Sequence, residues 1–320
     1  MSKKLAVVGK ITATRVIENA DLIHAATVFC GNAGTWEGVV ARDICVGQTV
    51  IVFLQDALLP EDSRWAFMEK HKWRVRMAKF KGVPSECLIV ADTQLQFAGA
   101  DAGVDLTEFL AVSKYEKPVP AGMAGDIAGA FPSFLPKSDE PNFQTVDFTA
   151  LMASKPWRMT EKADGSSCTA WVDDDGLHVC SRNWELKEFT AQGGENIYWR
   201  AARKYQLDLL ASGVAVQFEV VGPGVQGNPM GLAQLDARLF AAFRRDDQGR
   251  WQTIDWLTLP PIMPSAKLVG PDAQTGALKP ESLRELAAIR YANGKHGEGI
   301  VIRAVDQSWS FKVINLNYKD

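Results

Sequence analysis

Lys162 stands in a short polar break, Glu161-Lys162-Ala-Asp164-Gly165-Ser166-Ser167, between two apolar runs that read as strands. A lysine that ends a strand just before an Asp-Gly turn is held by backbone on both sides, with its amine aimed into a cavity. That is the setting of a nucleophile. The plain alternative is a hairpin with a solvated lysine, because Asp-Gly is a common turn dipeptide. An amine attacks only when neutral, and a lysine with a pKa near 10.4 is about 0.1% neutral at pH 7.5. Making it half neutral there takes a shift of ~3 pKa units, about 4 kcal/mol. Partial desolvation and a neighbouring cation push in that direction.

Further pieces follow in order. Arg182 lies in Ser181-Arg182-Asn183, at the end of the next strand, and Glu219 lies in Phe218-Glu219-Val220-Val221-Gly222. Phe240 and Phe243 share Arg238-Leu-Phe240-Ala-Ala-Phe243. Glu298 precedes Gly299-Ile-Val-Ile302, and Lys312 lies in Ser310-Phe311-Lys312-Val-Ile314. Singly they read as a solvated arginine, an edge glutamate, core aromatics and a surface lysine. It is the ordered set that argues for a site. The run Gly222-Pro-Gly-Val-Gln-Gly-Asn228 has neither the Gly-Lys-Ser/Thr ending nor the helix start of a phosphate-binding loop, so it reads as a loop bordering the cleft.

The rest of the composition narrows the chemistry. Five cysteines (Cys30, Cys45, Cys87, Cys168, Cys180) contain no C-x-x-C pair, and four histidines are scattered. Disulfide frameworks and zinc ribbons are excluded on that spacing, which leaves oxygen ligands and hence magnesium or manganese. No apolar run is long enough to span a membrane. The first ten residues carry two lysines and only five apolar or small residues before the next charge, too few for a signal-peptide core, so a cytoplasmic protein is expected. The net charge of -3 argues against an all-over basic coat. One stretch departs from that average: Lys70, Lys72, Arg74, Arg76, Lys79 and Lys81 are interleaved with Trp73 and Phe80, beside Trp65 and Phe67. Basic side chains there suit phosphates and aromatics suit unpaired bases, although core aromatics under a solvated charged face give the same pattern.

The elements that position these residues form two domains. Residues 1–115 show short strands at 5–17, 25–30, 37–41, 49–54 and 87–91 with little helix between, which suggests a small β-barrel. A run of prolines and glycines from 116 to 147 breaks regular structure and marks the connection, with Phe131-Pro-Ser-Phe-Leu-Pro-Lys137-Ser-Asp139-Glu140 specific enough to dress the edge of the site. Residues 148–320 predict an α+β domain whose antiparallel sheets line a groove. Its strands fall at 167–172, 177–182, 214–221, 238–243, 251–254, 299–303 and 310–314. Amphipathic helices are expected over Glu195–Leu210 and Pro280–Tyr291, the second opened by proline and followed by Gly294.

Taken in this order, the fragments from Trp157 to Lys312 resemble the motifs of the covalent nucleotidyltransferase superfamily: ATP-dependent DNA and RNA ligases and mRNA capping enzymes. They are especially similar to RNA ligases of the type first described from Deinococcus, which carry an OB-like domain ahead of the catalytic one. The stretch Ile17 to Val28 also resembles the opening of OB-fold modules in some tRNA-binding proteins. The resemblance implies an adenylylated Lys162, with Lys312 on the α-phosphate, Glu298 on a divalent metal (Mg²⁺ or Mn²⁺) and Glu219 on the ribose or the metal. Arg182 would hold the ribose or the 5′-phosphate, Phe240 would stack on adenine with Phe243 as a rival, and Glu161 would face the adenine edge. Asp164 and Gly165 belong to the nucleotide-binding motif. The implied partner is RNA, nicked in a duplex or an RNA/DNA hybrid. Two departures stand out: Ser310 replaces a first lysine of the last motif, a pattern shared with the Deinococcus type, and the chain ends eight residues after Lys312. DNA ligases and capping enzymes continue there into a further OB domain, so this end is expected to disfavour both. A capping-type guanylyltransferase, a DNA ligase and a non-catalytic RNA-binding protein are the rival readings.

Overall fold

Ala6–Val16 is buried on both faces at its start, Val7 and Ile11 facing one cluster and Ala6 and Val8 another, and from Thr12 onward the strand runs exposed. It is the centre of a five-stranded antiparallel sheet, ordered Thr35–Ala41, Ile23–Phe29, Ala6–Val16, Thr49–Phe53, Leu88–Ala91. The computed structural model describes residues 4–92, 97–115 and 125–318. The residues just ahead of the Leu88–Ala91 edge reach the opposite edge: Glu86 N–H donates to Glu37 O (2.8 Å) and Val39 N–H to Ser85 Oγ (3.0 Å). The sheet therefore curls into a partly closed barrel around Val7, Ile11, Val28, Trp36, Val50 and Val52. Ser63–His71, a 3₁₀ turn, lays Trp65 and Met68 over its outer side.

By internal contacts the chain divides into two units, Met1–Pro118 with Gln144–Val146, and Val119–Phe143 with Asp147–Asp320. The second holds two sheets. One has seven antiparallel strands, ordered Ile127–Ala130, Trp184–Leu186, Gly176–Ser181, Ser166–Asp173, Val214–Val221, Asp236–Arg245, Trp251–Ile254. The other has three: Trp157–Glu161, Gly299–Ala304 and Ser310–Ile314. One face of the large sheet buries Cys168, Ala170, Val216, Phe218 and Val220 against Ile197–Lys204. The opposite face presents Ser167, Gln217 and Glu219, as the period of two requires.

Several sequence expectations change here. The first helix is shorter than expected, because Asn196 caps its start through Tyr198 N–H (3.0 Å) and Gln206 turns left-handed (φ 51°) after its end. The second stops at Ala287. The proline- and glycine-rich connection is partly regular: Ile127–Ala130 is an edge strand of the large sheet, and Pro136 O accepts from Gln217 Nε2 (2.6 Å). Residues 116–124 of that connection lie outside the described residues.

The Ser166–Asp173 and Gly176–Ser181 strands form the expected hairpin, and His178 bridges its far end. Its Nδ1 lies 2.6 Å from Glu185 Oε1 and its Nε2 2.9 Å from Asp173 Oδ1, with the ring stacked on Trp171. Both nitrogens can donate only in the imidazolium. Burial opposes that charge, but hydrogen bonds to Glu185 and Asp173 hold the group above its ordinary value. Its contribution is then complete below about pH 6.5 and is lost as pH rises through the raised folded value. Wild type is expected to melt above Glu185→Gln by about 1–3 °C more at pH 6 than at pH 8.5. A gap that does not change between the two pH values would remove the imidazolium from the account.

Candidate active site

Lys162 occupies the crossover between the two sheets of the second unit. Glu161 ends a strand of the small sheet, paired with Ile300, whereas Ser166 begins a strand of the large one, paired with Val220. The hairpin alternative is thereby excluded, since the strands on either side of Lys162 are not partners. Backbone fixes the crossover at its start: Lys162 N–H donates to Gly299 O (2.8 Å) and Glu161 N–H to Lys267 O (2.7 Å). Gly299 sits at φ 138°, and a Cβ there would lie 2.1 Å from Val313 O, so only glycine lets the strand before Ile300 approach so closely.

Around the amine the structure gathers carboxylates. Lys162 Nζ is 2.8 Å from Glu298 Oε1, both side chains being about one-fifth exposed. Glu219, opposite Ser167 on the neighbouring strand, is pushed up to about 8 by burial and by the charges of Glu298, Glu140 and Asp164, against the opposing pull of Lys162. Burial favours a neutral Lys162, but Glu298, Glu219 and Glu140 outweigh it and hold the group above its ordinary value. These carboxylates favour the ammonium form, and a proton has to leave Lys162 before it can attack. Lys312 lies across the ladder from Val301, which in turn pairs with Thr160. Its N–H donates to Pro141 O (2.8 Å), so the segment before Phe143 runs beside the last motif.

That segment supplies a residue missing from the sequence-based set. Glu140 forms a buried ion pair with Arg303, whose guanidinium lies 4.9 Å from the Phe240 ring centroid. Burial opposes its charge, yet Arg303, Lys162 and Lys312 hold its carboxyl below the usual range. The sequence places the run ending in Glu140 at the edge of the site without assigning this residue a role. Phe240 is thus buried (8% exposed) with one side against Arg303, in a cluster with Leu135, Trp171 and Phe243. Phe243, the rival, is more deeply buried and pairs with Ala215 further along the sheet.

The other expected residues fall in different places. Asp164 lies close enough to Glu219 to raise its pKa, and its N–H is bound by the Tyr291 hydroxyl (3.1 Å). Gly165 packs its backbone against Val220 O. Glu161 turns its carboxylate to Lys267 Nζ (3.4 Å), on the pleat face opposite Thr160. Arg182 is half-exposed and paired with Asp139 (2.8 Å), about two strand spacings, ~10 Å, from the Glu219 strand. In the barrel unit, Lys70, Lys72, Arg76 and Lys81 are exposed and Lys79 is half-buried. Arg74 differs: Asp56 holds it at 2.6 Å and it stacks 3.9 Å from the Tyr115 centroid. Trp65 is core, edge-on to Phe53, whereas Phe67 and Phe80 are exposed.

Among the described residues no group of three or more His, Cys, Asp or Glu side chains is arranged to hold a metal ion. Glu298 and Glu219 beside Lys162 nonetheless offer oxygen donors. Mg²⁺ and Mn²⁺ take oxygen ligands, and Mg²⁺ in nucleotide sites is bound by one or two carboxylates with substrate phosphates completing the shell.

A family model described as RNA ligase matches residues 155–314, the span from just before Trp157 to Ile314. The chain belongs to the RNA ligase family. Solved structures of the Naegleria gruberi RNA ligase are similar over almost the whole length. The pyrophosphate complex is 26% identical with a TM-score of 0.75, covering 98% of this chain and 97% of that one. A glutamate-to-alanine variant with AMP and manganese is 27% identical (TM-score 0.76; 98% and 97% covered). A lysine-to-alanine variant with ATP and manganese is 26% identical (0.74; 98% and 96%). No curated protein matches the chain. As an RNA ligase it is an enzyme, and Lys162, Glu219, Glu298 and Lys312 lie inside the matched span, whereas Glu140 precedes it.

Proposed function

We propose that this RNA ligase joins a 3′-OH to a 5′-phosphate, at nicks held in a duplex, through an adenylate carried on Lys162. ATP supplies the adenylate, and the reading is supported by the Naegleria ligase having been captured with ATP, AMP, pyrophosphate and manganese. Within this chain it is carried by one observation: Lys162 Nζ at the junction of two sheets, 2.8 Å from Glu298 and surrounded by Glu219 and Glu140.

In the first step the deprotonated Lys162 amine attacks the α-phosphorus of ATP, a P–N bond forms and pyrophosphate leaves. Lys312 stabilises the charge on the α-phosphate as phosphorus becomes five-coordinate. An RNA 5′-phosphate oxygen then attacks the lysyl adenylate, freeing the amine and leaving an AMP-capped end. The 3′-OH attacks that end, the phosphodiester forms and AMP departs. Glu298 and Glu219 would hold the divalent ion, which when bound neutralises phosphate charge at the reacting centre. Arg182 would reach the ribose or the 5′-phosphate, and Phe240 would stack on adenine once Arg303 gives way. The role in the cell would be repair of broken RNA.

The test is incubation with [α-³²P]ATP and Mg²⁺. A label surviving SDS on wild type and absent from Lys162→Ala supports the reading; labelling by GTP alone would replace it with capping-type chemistry.

For the first unit we propose an OB-type barrel that grips the RNA. Its strand order, with the third strand meeting the fifth, supports this, and so do the exposed Lys70, Lys72, Arg76 and Lys81, with Lys79 beside them. Replacing the four exposed residues by glutamine is expected to flatten the salt dependence of RNA binding by about 2–4 units of log–log slope while leaving ATP labelling intact. An unchanged slope would take the patch out of the interface.

A further inference from the structure

We infer that Tyr291 is a positioning residue for the adenylylation step: its hydroxyl fixes the main chain of the nucleophile segment against that of the Glu298 segment. The inference rests on the ligase reading above and deepens it. Tyr291 Oη donates to Lys162 O (3.0 Å) and accepts from the backbone N–H of Asp164 (3.1 Å) and of Glu298 (3.1 Å). A phenol has one proton and two acceptor sites, so this hydroxyl is saturated by three main-chain groups of two separate segments.

The ring that carries it has little freedom. It is 3% exposed, buried with Val221 and Met230, with Ala163 and Leu232 against them. Its backbone closes a turn, accepting from Gly294 N–H (2.9 Å) and donating to Lys295 O (2.9 Å). Asn315 steadies the Glu298 side of the junction, donating through its N–H to Glu298 O (3.0 Å) and through Nδ2 to Gly297 O (2.9 Å). The two segments are also tied by the Lys162 N–H to Gly299 O bond, by the pairing of Glu161 with Ile300 and by the Lys162–Glu298 ion pair, but none of these holds the Lys162 carbonyl or the Asp164 N–H. Removing the phenolic oxygen keeps the packed ring but releases one carbonyl and two N–H groups flanking the nucleophile and its partner. A displacement on the order of 1 Å at a reacting group costs roughly 10²-fold in rate. The same loss does not touch residues that hold ATP through its base or sugar.

The test is Tyr291→Phe in the full chain, read by single-turnover formation of the labelled lysyl adenylate from [α-³²P]ATP. At saturating ATP the rate is expected to fall about 30–100-fold. The ATP concentration for half-maximal rate should stay within about threefold, and the melting temperature should fall by about 2–5 °C. 3-Fluorotyrosine at 291 keeps the hydroxyl in the same packed ring and is expected to restore the rate to within about threefold. The positioning role is overturned if Tyr291→Phe labels within threefold of wild type, or if fluorotyrosine is as slow as phenylalanine. It is equally overturned if Tyr291→Phe loses melting temperature heavily while its folded fraction, counted by burst amplitude, labels at the wild-type rate. A wild type that takes no label at all removes the ligase reading itself, and the positioning role with it.

Discussion

Lys162→Arg is expected to abolish adenylylation, by at least about 10⁴-fold, while leaving the protein folded. The substitution separates two properties that alanine removes together, the charge at this position and the capacity to become a nucleophile. A guanidinium stays protonated far above neutral pH and is neutral in a vanishing fraction of molecules at about pH 7.5, so it cannot attack phosphorus. It keeps the positive charge that Glu298 contacts at 2.8 Å and that Glu219 and Glu140 feel. Glu298 left without its partner would face an uncompensated cavity, whereas the arginine continues to offset its charge. The melting temperature should therefore stay within about 3 °C of wild type, and that of Lys162→Ala should fall further. Sealing of an RNA already carrying the 5′-adenylate requires no attack by this side chain and should persist in the arginine variant. An arginine variant that still acquires label from ATP would mean that another residue carries the adenylate. One that loses both labelling and the sealing of adenylated RNA would point to a distorted site.

Much of this site was legible from residue types because strands announce themselves locally. Trp157–Glu161, Val214–Val221 and Ser310–Ile314 lie where apolar runs predicted them, and with them Lys162, Glu219 and Lys312. What resisted reading depended on partners far away in sequence. Strand, Lys-x-Asp-Gly and strand is the same local pattern whether the flanking strands pair with each other or, as here, with Gly299–Ala304 and Val214–Val221. Tyr291 follows Leu283 and Ala287 at four-residue steps and so looked like the tail of an amphipathic helix. The helix ends at Ala287, and the hydroxyl finds its partners at Lys162 and Asp164, more than a hundred residues away. Arg74 is one basic residue among six by sequence, yet Asp56 and Tyr115 take it out of the exposed set. The carboxylates that favour a charged Lys162 depend on distant partners in the same way. The run ending in Glu140 is expected at the edge of the site, but its pairing with Arg303 and its reach to Lys162 are set by a sheet more than a hundred residues on.

Gly165→Ala is expected to slow labelling of Lys162 by at least about 10²-fold and to destabilise the protein by about 1–3 kcal/mol. The argument is one of contact. A Cβ on Gly165 would lie 2.2 Å from Val220 O and 2.8 Å from both Glu219 Cγ and Val221 Cγ1. The carbonyl belongs to an interior strand of the large sheet and cannot swing away, since Val220 pairs with Ser166 on one side and Ala237 on the other. The crossover must retreat instead, by about 1 Å to reach ordinary contact distance. Lys162 stands three residues upstream on the same crossover, and the second crowded atom is the side chain of Glu219, so both parts of the site move together. Gly194→Ala provides the control, because its Cβ would meet nothing nearer than Thr190 Oγ1 at 3.6 Å. That variant should match wild type in rate and lie within about 0.5 kcal/mol in stability. If Gly165→Ala labels as fast as the control, close approach of backbone to backbone is not what places the nucleophile. The junction of the two sheets would then have to be tolerant of a methyl group where its geometry leaves no room for one.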